Sequence, residues 1–359
     1  MSSSSHPLPI DVGVVELTRI LCDIESVSGQ ESHLADRIEA TLAGASHLEV
    51  IRHGNTVAAR TATSAPGRVL IAGHIDTVPV SGCLPARLDE ESLWGRGSVD
   101  MKGGVASHLI HAMNPAAARH NITWVFYDQE EVEATKNGLG LFAAVHPDWM
   151  VADFGILGEP SNGAVEGGCN GTLRAVVTAR GKQAHSARPW KGINAIHALS
   201  PLMDRLATHS PETRLVEGLE YRESVQAVGI SGGVAGNVVP DAASITINYR
   251  FAPDRSIDDA IGYVTTLCDG YVVEVVDAAA GARPGLDSSM AKQFVALVGE
   301  PPAPKYGWTD VSRLSEAGIP AVNFGPGDPS LAHSPDEKVP LSQLRSAHDI
   351  LGQWLFSDQ

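Results

Sequence analysis

Apolar runs of strand length recur along this chain and several break off at an acid or an imidazole, which constrains the fold more than any bulk property does. The run VLIAGHID at 69–76 carries the signature of a buried strand that stops at a polar tip, with His74 and Asp76 two residues apart. Strand side chains repeat every two residues, so this spacing predicts that both point to the same side. An imidazole whose second nitrogen is oriented by a nearby carboxylate is the arrangement of a metal-ligating histidine with its supporting partner. An isolated pair of this kind is more often just a polar strand end. Here it has company: Asp100 in GRGSVDMKGG (95–104), Glu130 and Glu131 after ITWVFY (122–127), Glu159 after FGIL (154–157) and His333 after AVNF (321–324).

In open α/β sheets, ligands bind in the crevice outside the carboxyl ends of the strands, so residues far apart in sequence converge there. Helical character over 103–113, after Asp100, and over 138–145, after the glutamate pair, supplies the alternation of strand and helix that a doubly wound sheet requires. Between about 172 and 280 the order of elements changes. A strand at 173–178, a helix at 193–207, strands at 224–230 and 243–251, a helix at 256–267 and a strand at 271–276 give the β-α-β-β-α-β order of a ferredoxin-like module. The expected architecture is therefore an α/β, doubly wound catalytic domain built from 1–171 and 282–359, interrupted at 172–281 by an α+β ferredoxin-like lid or dimerisation domain. A single uninterrupted domain is the alternative, and both chain length and the change of topology count against it.

With 359 residues, 43% of them hydrophobic, the chain is long enough for two ordinary cores. No apolar run approaches the roughly 20 residues that span a bilayer. The start, MSSSSHP, lacks the basic-then-apolar plan of a secretory signal, and the expected location is the cytoplasm. Cys22, Cys83, Cys169 and Cys268 are scattered and include no C-x-x-C pair, which fits a reducing compartment and a metal site without thiolates. A formal net charge of −16 argues against nucleic acid or an anionic membrane as partner, because phosphate binding needs clustered Lys and Arg.

His74, Asp100, Glu131, Glu159 and His333 make a nitrogen and oxygen donor set, which suits zinc and also takes cobalt or manganese. Charge supports two ions, since three carboxylates set −3 against the +4 of two divalent cations. One carboxylate would then bridge the pair, as in two-metal hydrolases. Glu130 and Glu131 are adjacent, so the simplest division gives one to a metal and leaves the other as a general base. Taken alone, DQEEVE (128–133) would read as a solvated acidic loop. A nucleotide-binding reading of 95–100 fails for want of a third glycine and because Asp100 stands where phosphate would sit.

The segments GHIDTVP (73–79), GRGSVDMKGG (95–104), DQEE (128–131), GEP (158–160) and AHSPDE (332–337) resemble, in order, the motifs of the di-zinc aminoacylase and carboxypeptidase family, over nearly the whole chain. Within it, EGGCNGTLR (166–174), GVAGNVVP (233–240), NYRFAP (248–253) and KYGWTDVSR (305–313) resemble the branch that removes a succinyl group from a diamino acid. The resemblance implies that His74 and Glu159 hold one zinc, Glu131 and His333 the other, and that Asp100 bridges them. It further implies that Asp76 orients His74, that Glu130 is the general acid and base, and that the peptide after Asp100 is cis.

His185, in GKQAHSAR (181–188), matches a lid histidine that in dimeric relatives reaches the opposite subunit's site to stabilise an oxyanion, which would make a homodimer through the lid part of catalysis. The implied reaction is hydrolysis of a small anionic N-acyl diamino acid. Arginine forks suit its carboxylates, so Arg174, Arg188, Arg250 and Arg313 are candidate substrate-binding residues, with Asn237 and Thr309 as neutral partners. Arg250 and Asn237 are the best placed of these in the motifs. Near Trp308 the chain departs from the wider pattern, a tryptophan replacing a more glycine- and serine-rich turn, which leaves acetyl as a rival to succinyl. An N-acyl-amino-acid hydrolase or dipeptidase is the broader alternative, and a metal-free binding protein the reading from another class.

Overall fold

The computed structural model describes residues 6–356, so the serine-rich start lies outside the described residues. The chain divides into two compact units: one of residues 1–167, 284–303 and 309–359, the other of 168–283 with 304–308.

The first unit is built on an eight-stranded mixed sheet in the order Glu49–His53, Thr56–Arg60, Asn121–Tyr127, Arg68–His74, Phe154–Leu157, Ala321–Asn323, Glu166–Gly167, Ala303–Pro304. Its centre is parallel: Arg68–His74 pairs with both Asn121–Tyr127 and Phe154–Leu157, and Ala321–Asn323 pairs with Phe154–Leu157. The flanks are antiparallel. Central strands covered on both faces should read as near-continuous apolar runs, and VLIAGH and ITWVFY are buried throughout. Val69, Ile71, Trp124, Phe126 and Ile156 share one core with Leu17, Leu34, Val105, Leu109, Leu344 and Leu351 from helices Val14–Asp23, Ser32–Leu42, Lys102–Ala112 and Leu341–Leu355. Helices Gly138–Val145 and Val311–Glu316 also pack on the sheet strands. The helix Lys102–Ala112 comes so close to the sheet that a Cβ on Gly104 would lie 2.3 Å from the Gly158 carbonyl oxygen, so only glycine fits there.

A small three-stranded sheet, missed in the sequence, pairs Ser92–Trp94 with Arg87–Leu88 on one side and Lys338–Pro340 on the other. It ties the loop that carries Asp100 to the loop that carries His333. No helix among the described residues is long and apolar enough to cross a membrane, and no disulfide joins any of the four cysteines, Cys22, Cys83, Cys169 and Cys268.

The second unit is a four-stranded antiparallel sheet in the order Ser224–Gly232, Ala242–Phe251, Gly171–Arg180, Val272–Ala279. With helices Ser200–Thr208 and Ile257–Leu267 this is the ferredoxin-like order. Clean alternation over Ala242–Phe251 puts Ile245, Ile247, Tyr249 and Phe251 into the core and leaves Arg250 on the other face. The sequence did not foretell the hairpin of Thr213–Val216 with Leu219–Arg222, or the two-residue ribbon of Ala184–His185 with Val238–Val239.

Candidate metal centre

The strand Arg68–His74 ends at His74, and Asp76 lies just beyond it. His74 is 1% exposed; its Nδ1 donates to the Asp76 carbonyl oxygen at 3.1 Å, with an Asp76 carboxylate oxygen at 3.5 Å. That fixes the tautomer, and Nε2 is left to ligate. Asp100 offers one oxygen to each histidine: Oδ1 is 3.0 Å from His74 Nε2 and Oδ2 is 3.4 Å from His333 Nε2. Glu159 lies 4.0 Å from His74 Nε2, and Glu131 lies 2.8 Å from His333 Nε2. The peptide Asp100–Met101 is cis.

Asp76, fully buried, does more than face His74. Its Oδ1 accepts from the Glu130 backbone N–H at 3.0 Å, and its Oδ2 accepts from the Glu131 N–H at 3.1 Å and the Ser28 hydroxyl at 2.7 Å. One carboxylate thus holds the backbone of both glutamates. The residue before them, Gln129, sits at φ 57° and His333 at φ 64°, a region sparsely used outside glycine. Such conformations persist where surroundings over-determine them, commonly at functional sites. The acidic run is not a solvated loop: Asp128 is buried against the Thr56 hydroxyl, Glu131 meets His333, Glu130 lies among the charges of His74, Glu159 and Glu131, and Glu133 pairs with Lys136 at the surface.

Electrostatics show what the cluster requires. Burial works against charge on His74, yet hydrogen bonds to Asp100 and Asp76 raise it well above its ordinary value. Hydrogen bonds to Asp100 and Glu131 raise His333 to about 10. Burial likewise opposes ionisation of Asp100, but its bonds to His333 and His74 hold it well below the carboxylate range. Burial, with Asp310, Glu159 and Glu131 close by, lifts Glu130 well above a normal glutamate. The donor set therefore calls for positive charge, from protons on the imidazoles or from metal ions. Ligand atoms of His74, Asp100 and Glu131 all lie within 4.8 Å of one another, close enough to hold an ion.

The remaining sequence candidates separate. Arg313 is taken up by the buried Asp310 (2.6 Å) and by the Ala134 carbonyl oxygen (3.2 Å), and the Thr309 hydroxyl donates to Asn323 at 2.9 Å. Both have local structural work that the sequence did not indicate. His185, Arg174, Arg188, Asn237 and Arg250 belong to the second unit. There the short ribbon brings His185 beside Asn237, whose carbonyl oxygen accepts from the Ser186 N–H at 2.9 Å. Exposed His185 accepts at Nδ1 from the Ala187 N–H at 3.0 Å, leaving Nε2–H as a donor. Arg250 donates from Nε to Asn248 at 3.1 Å, whereas Arg174 is half exposed, 3.9 Å from Asp277, and Arg188 is exposed. Sequence reading passed over Ser28, Arg96 and Glu337, because hydrogen bonds between distant loops leave no periodic trace.

An α/β sheet with an inserted ferredoxin-like unit and a carboxylate shared by two imidazoles defines a hydrolase-type metal centre. Residues 70–357 match the model of peptidase family M20/M25/M40, and the chain belongs to that family. It is 52% identical over 344 residues, 95% of this chain and 97% of the relative, to a Mycobacterium tuberculosis protein provisionally named succinyl-diaminopimelate desuccinylase. It is 44% identical over 352 residues, 95% of each, to the Corynebacterium glutamicum succinyl-diaminopimelate desuccinylase. Among solved structures, a Staphylococcus aureus tripeptidase superposes with a TM-score of 0.77 at 20% identity, covering 95% of this chain and 96% of that one. A Bacillus subtilis dinuclear metal-binding peptidase of family M20 superposes at 0.68 and 18% identity, covering 95% and 96%.

Proposed function

We propose that this chain is a metal-dependent hydrolase that cleaves N-succinyl-LL-2,6-diaminopimelate to succinate and LL-2,6-diaminopimelate, a precursor of lysine and cell wall. The chemistry rests on one observation, the Asp100 carboxylate offering one oxygen to each of two imidazoles beside the part-buried Glu130. The choice of substrate rests on the relatives that share 52% and 44% of its residues along almost its full length.

The donor set fits two divalent ions, with zinc our assignment and cobalt a substitute: His74 and Glu159 for one, Glu131 and His333 for the other, Asp100 for both. Bound there, the ions would polarise the amide carbonyl and make water acidic near neutral pH. Asp76 orients His74 and locks the loop of Glu130. With two cations bound beside it, which would offset the burial that raises it, Glu130 would be ionised, take a proton from the attacking water and return it to the departing nitrogen. In the homodimer, the partner subunit's His185 would donate from Nε2–H to the oxyanion. Arg250, oriented by Asn248, forks onto a substrate carboxylate, with Asn237 as a neutral partner and Arg174 and Arg188 as outlying cations.

The strand Ser224–Gly232 forms an edge of the second unit's sheet, with Val228 and Ile230 exposed. An unpaired apolar edge is a template for a second chain, which supports a homodimer through this unit. Cysteines that form no disulfide fit a cytoplasmic setting. The test is initial-rate hydrolysis of N-succinyl-LL-diaminopimelate against N-acetylornithine by zinc-loaded and chelator-stripped protein. Zinc-dependent preference for the succinyl substrate is the expected result. Preference for the acetyl substrate would keep the mechanism and overturn the substrate.

A further inference from the structure

Two loops that carry metal-site residues are joined by a buried ion pair with no part in the reaction. Arg96 and Glu337 are 3% and 2% exposed, with Arg96 Nη1 2.7 Å from Glu337 Oε2. The other Glu337 oxygen accepts from the backbone N–H of Val99 at 3.0 Å and of Asp100 at 3.2 Å. Arg96 spreads its remaining donors over carbonyl oxygens: Pro79 at 3.2 Å, Ser334 at 3.3 Å and His333 at 3.4 Å. Glu337 of the His333 loop thus grips the backbone at Asp100, and Arg96 of the Asp100 loop grips the backbone at His333. Both lie one or two residues past the paired ends Trp94 and Lys338 of the small sheet, which anchors the loops at their base.

We propose that Arg96 and Glu337 act as positioning residues that set the spacing of Asp100 from His333, and so the affinity for the metal ion held between them. This rests on the two-metal reading of the site. The geometry argues for a dedicated brace. A buried charge pair is at best a weak gain in stability over apolar packing, and here, apart from the Arg96 bond to Pro79, both partners spend their remaining bonds on the two ligand-bearing backbones. The shape of arginine matters too. A lysine would keep the charge beside Glu337 but has no planar fork with which to reach four acceptors in fixed directions.

The test uses Arg96→Lys and Glu337→Asp, which both retain charge. Chelator-stripped protein is titrated calorimetrically with Zn²⁺, and the visible spectrum is followed on addition of Co²⁺. Wild type should take up two ions. Each variant should bind one with unchanged affinity and the other about 10–100-fold more weakly, the usual cost of removing support behind a metal ligand, with altered Co²⁺ bands for that equivalent only. Variants that stay folded by circular dichroism and bind both ions as wild type does would overturn the brace, even if they melt at lower temperature. If one variant fails to fold, the other carries the same test. Wild type that binds no zinc would remove the metal reading itself, and the brace with it.

Discussion

The two histidines of the centre sit in opposite settings. His74 closes a buried central strand, is 1% exposed and has its ring set by Asp76. His333 stands on a loop ten residues past Ala321–Asn323, with φ at 64° and a side chain 51% exposed. The first side is preorganised by the sheet, whose register fixes where a strand ends. The second is held by side chains reaching between loops: Asp76 on the backbone of Glu130 and Glu131, Arg96 and Glu337 on those of Asp100 and His333. A sheet end costs nothing further to position, whereas a loop ligand needs its own support.

If the loop side carries the proton transfer, Glu130→Gln should have the largest effect. General acid–base groups contribute about 10²–10⁴-fold, so kcat should fall by that much with little change in KM, while the bound-metal content measured by mass spectrometry stays at the wild-type level. Loss of bound metal along with activity would make Glu130 a ligand instead.

The halves should also part in stability. His74→Ala leaves Asp76, Asp100 and Glu159 facing one another in a buried space, and breaking such a cluster costs about 3–5 kcal/mol. His333→Ala removes a half-exposed partner and should cost about 0–1 kcal/mol, though it too disables the site. Urea denaturation of the metal-free variants separates the two. Equal losses would mean that the exposed loop is as tightly built as the strand end.

This contrast also explains what was legible in sequence. The ends of VLIAGH and ITWVFY announced His74 and the glutamates because apolar periodicity marks a buried strand and its stop. The ferredoxin-like unit was readable from its order of elements, with helix Gly138–Val145 expected at its observed bounds. Asp76 was expected to continue the strand and instead follows it. His333 was tied to AVNF but lies well beyond the strand, after the 3-10 turn Pro329–Leu331. Arg313 and Thr309 stood as candidate substrate-binding residues in sequence, because Asp310 and Asn323 meet them only through a local turn or a tertiary contact. What periodicity cannot encode is which loop backbone a buried carboxylate will grip.

Behind the buried side lie two histidines that extend the contrast to acid. Burial pushes both His108 and His111 down to about 3, and a Cβ on Gly158, next to Glu159, would lie 2.6 Å from the His108 ring. Unfolded, these groups take up protons as pH falls below about 6.5. Folded, they do not until about 3. Their stabilisation is therefore present above about 6.5 and lost as pH falls through that window toward 3. Carboxylates with depressed values, Asp76 and Asp100, add to the loss only below about 4. His74, His333 and Glu130, whose values are raised, act in the opposite sense over part of this range, so the test is a difference: between pH 7 and 5 the urea midpoint of metal-free His111→Gln should fall less, or rise more, than that of the wild type. Equal changes in the two would place the acid sensitivity elsewhere.

The smallest expected effect tests the loop side at its most remote support. Ser28 touches none of the proposed metal ligands, yet its hydroxyl donates to the Asp76 oxygen that also accepts from Glu131 N–H. The segment is itself fastened along the strand exit: Ser28 N–H donates to the Thr77 carbonyl oxygen at 3.1 Å, and the Ser26 hydroxyl to that of Ile75 at 2.7 Å. Ser28→Ala therefore leaves the backbone in place and removes a single hydrogen bond to a charged group, worth about 1.5–3 kcal/mol where fully felt. Asp76 keeps its bonds to both glutamate N–H groups, so most of that should be absorbed locally. A fall of about tenfold or less in kcat/KM, carried by kcat and accompanied by a small drop in stability, would show that Asp76 is tuned by its partners as well as by His74. A rise in KM with kcat unchanged would mean that the segment at Ser28 acts on substrate binding and not on the glutamate loop.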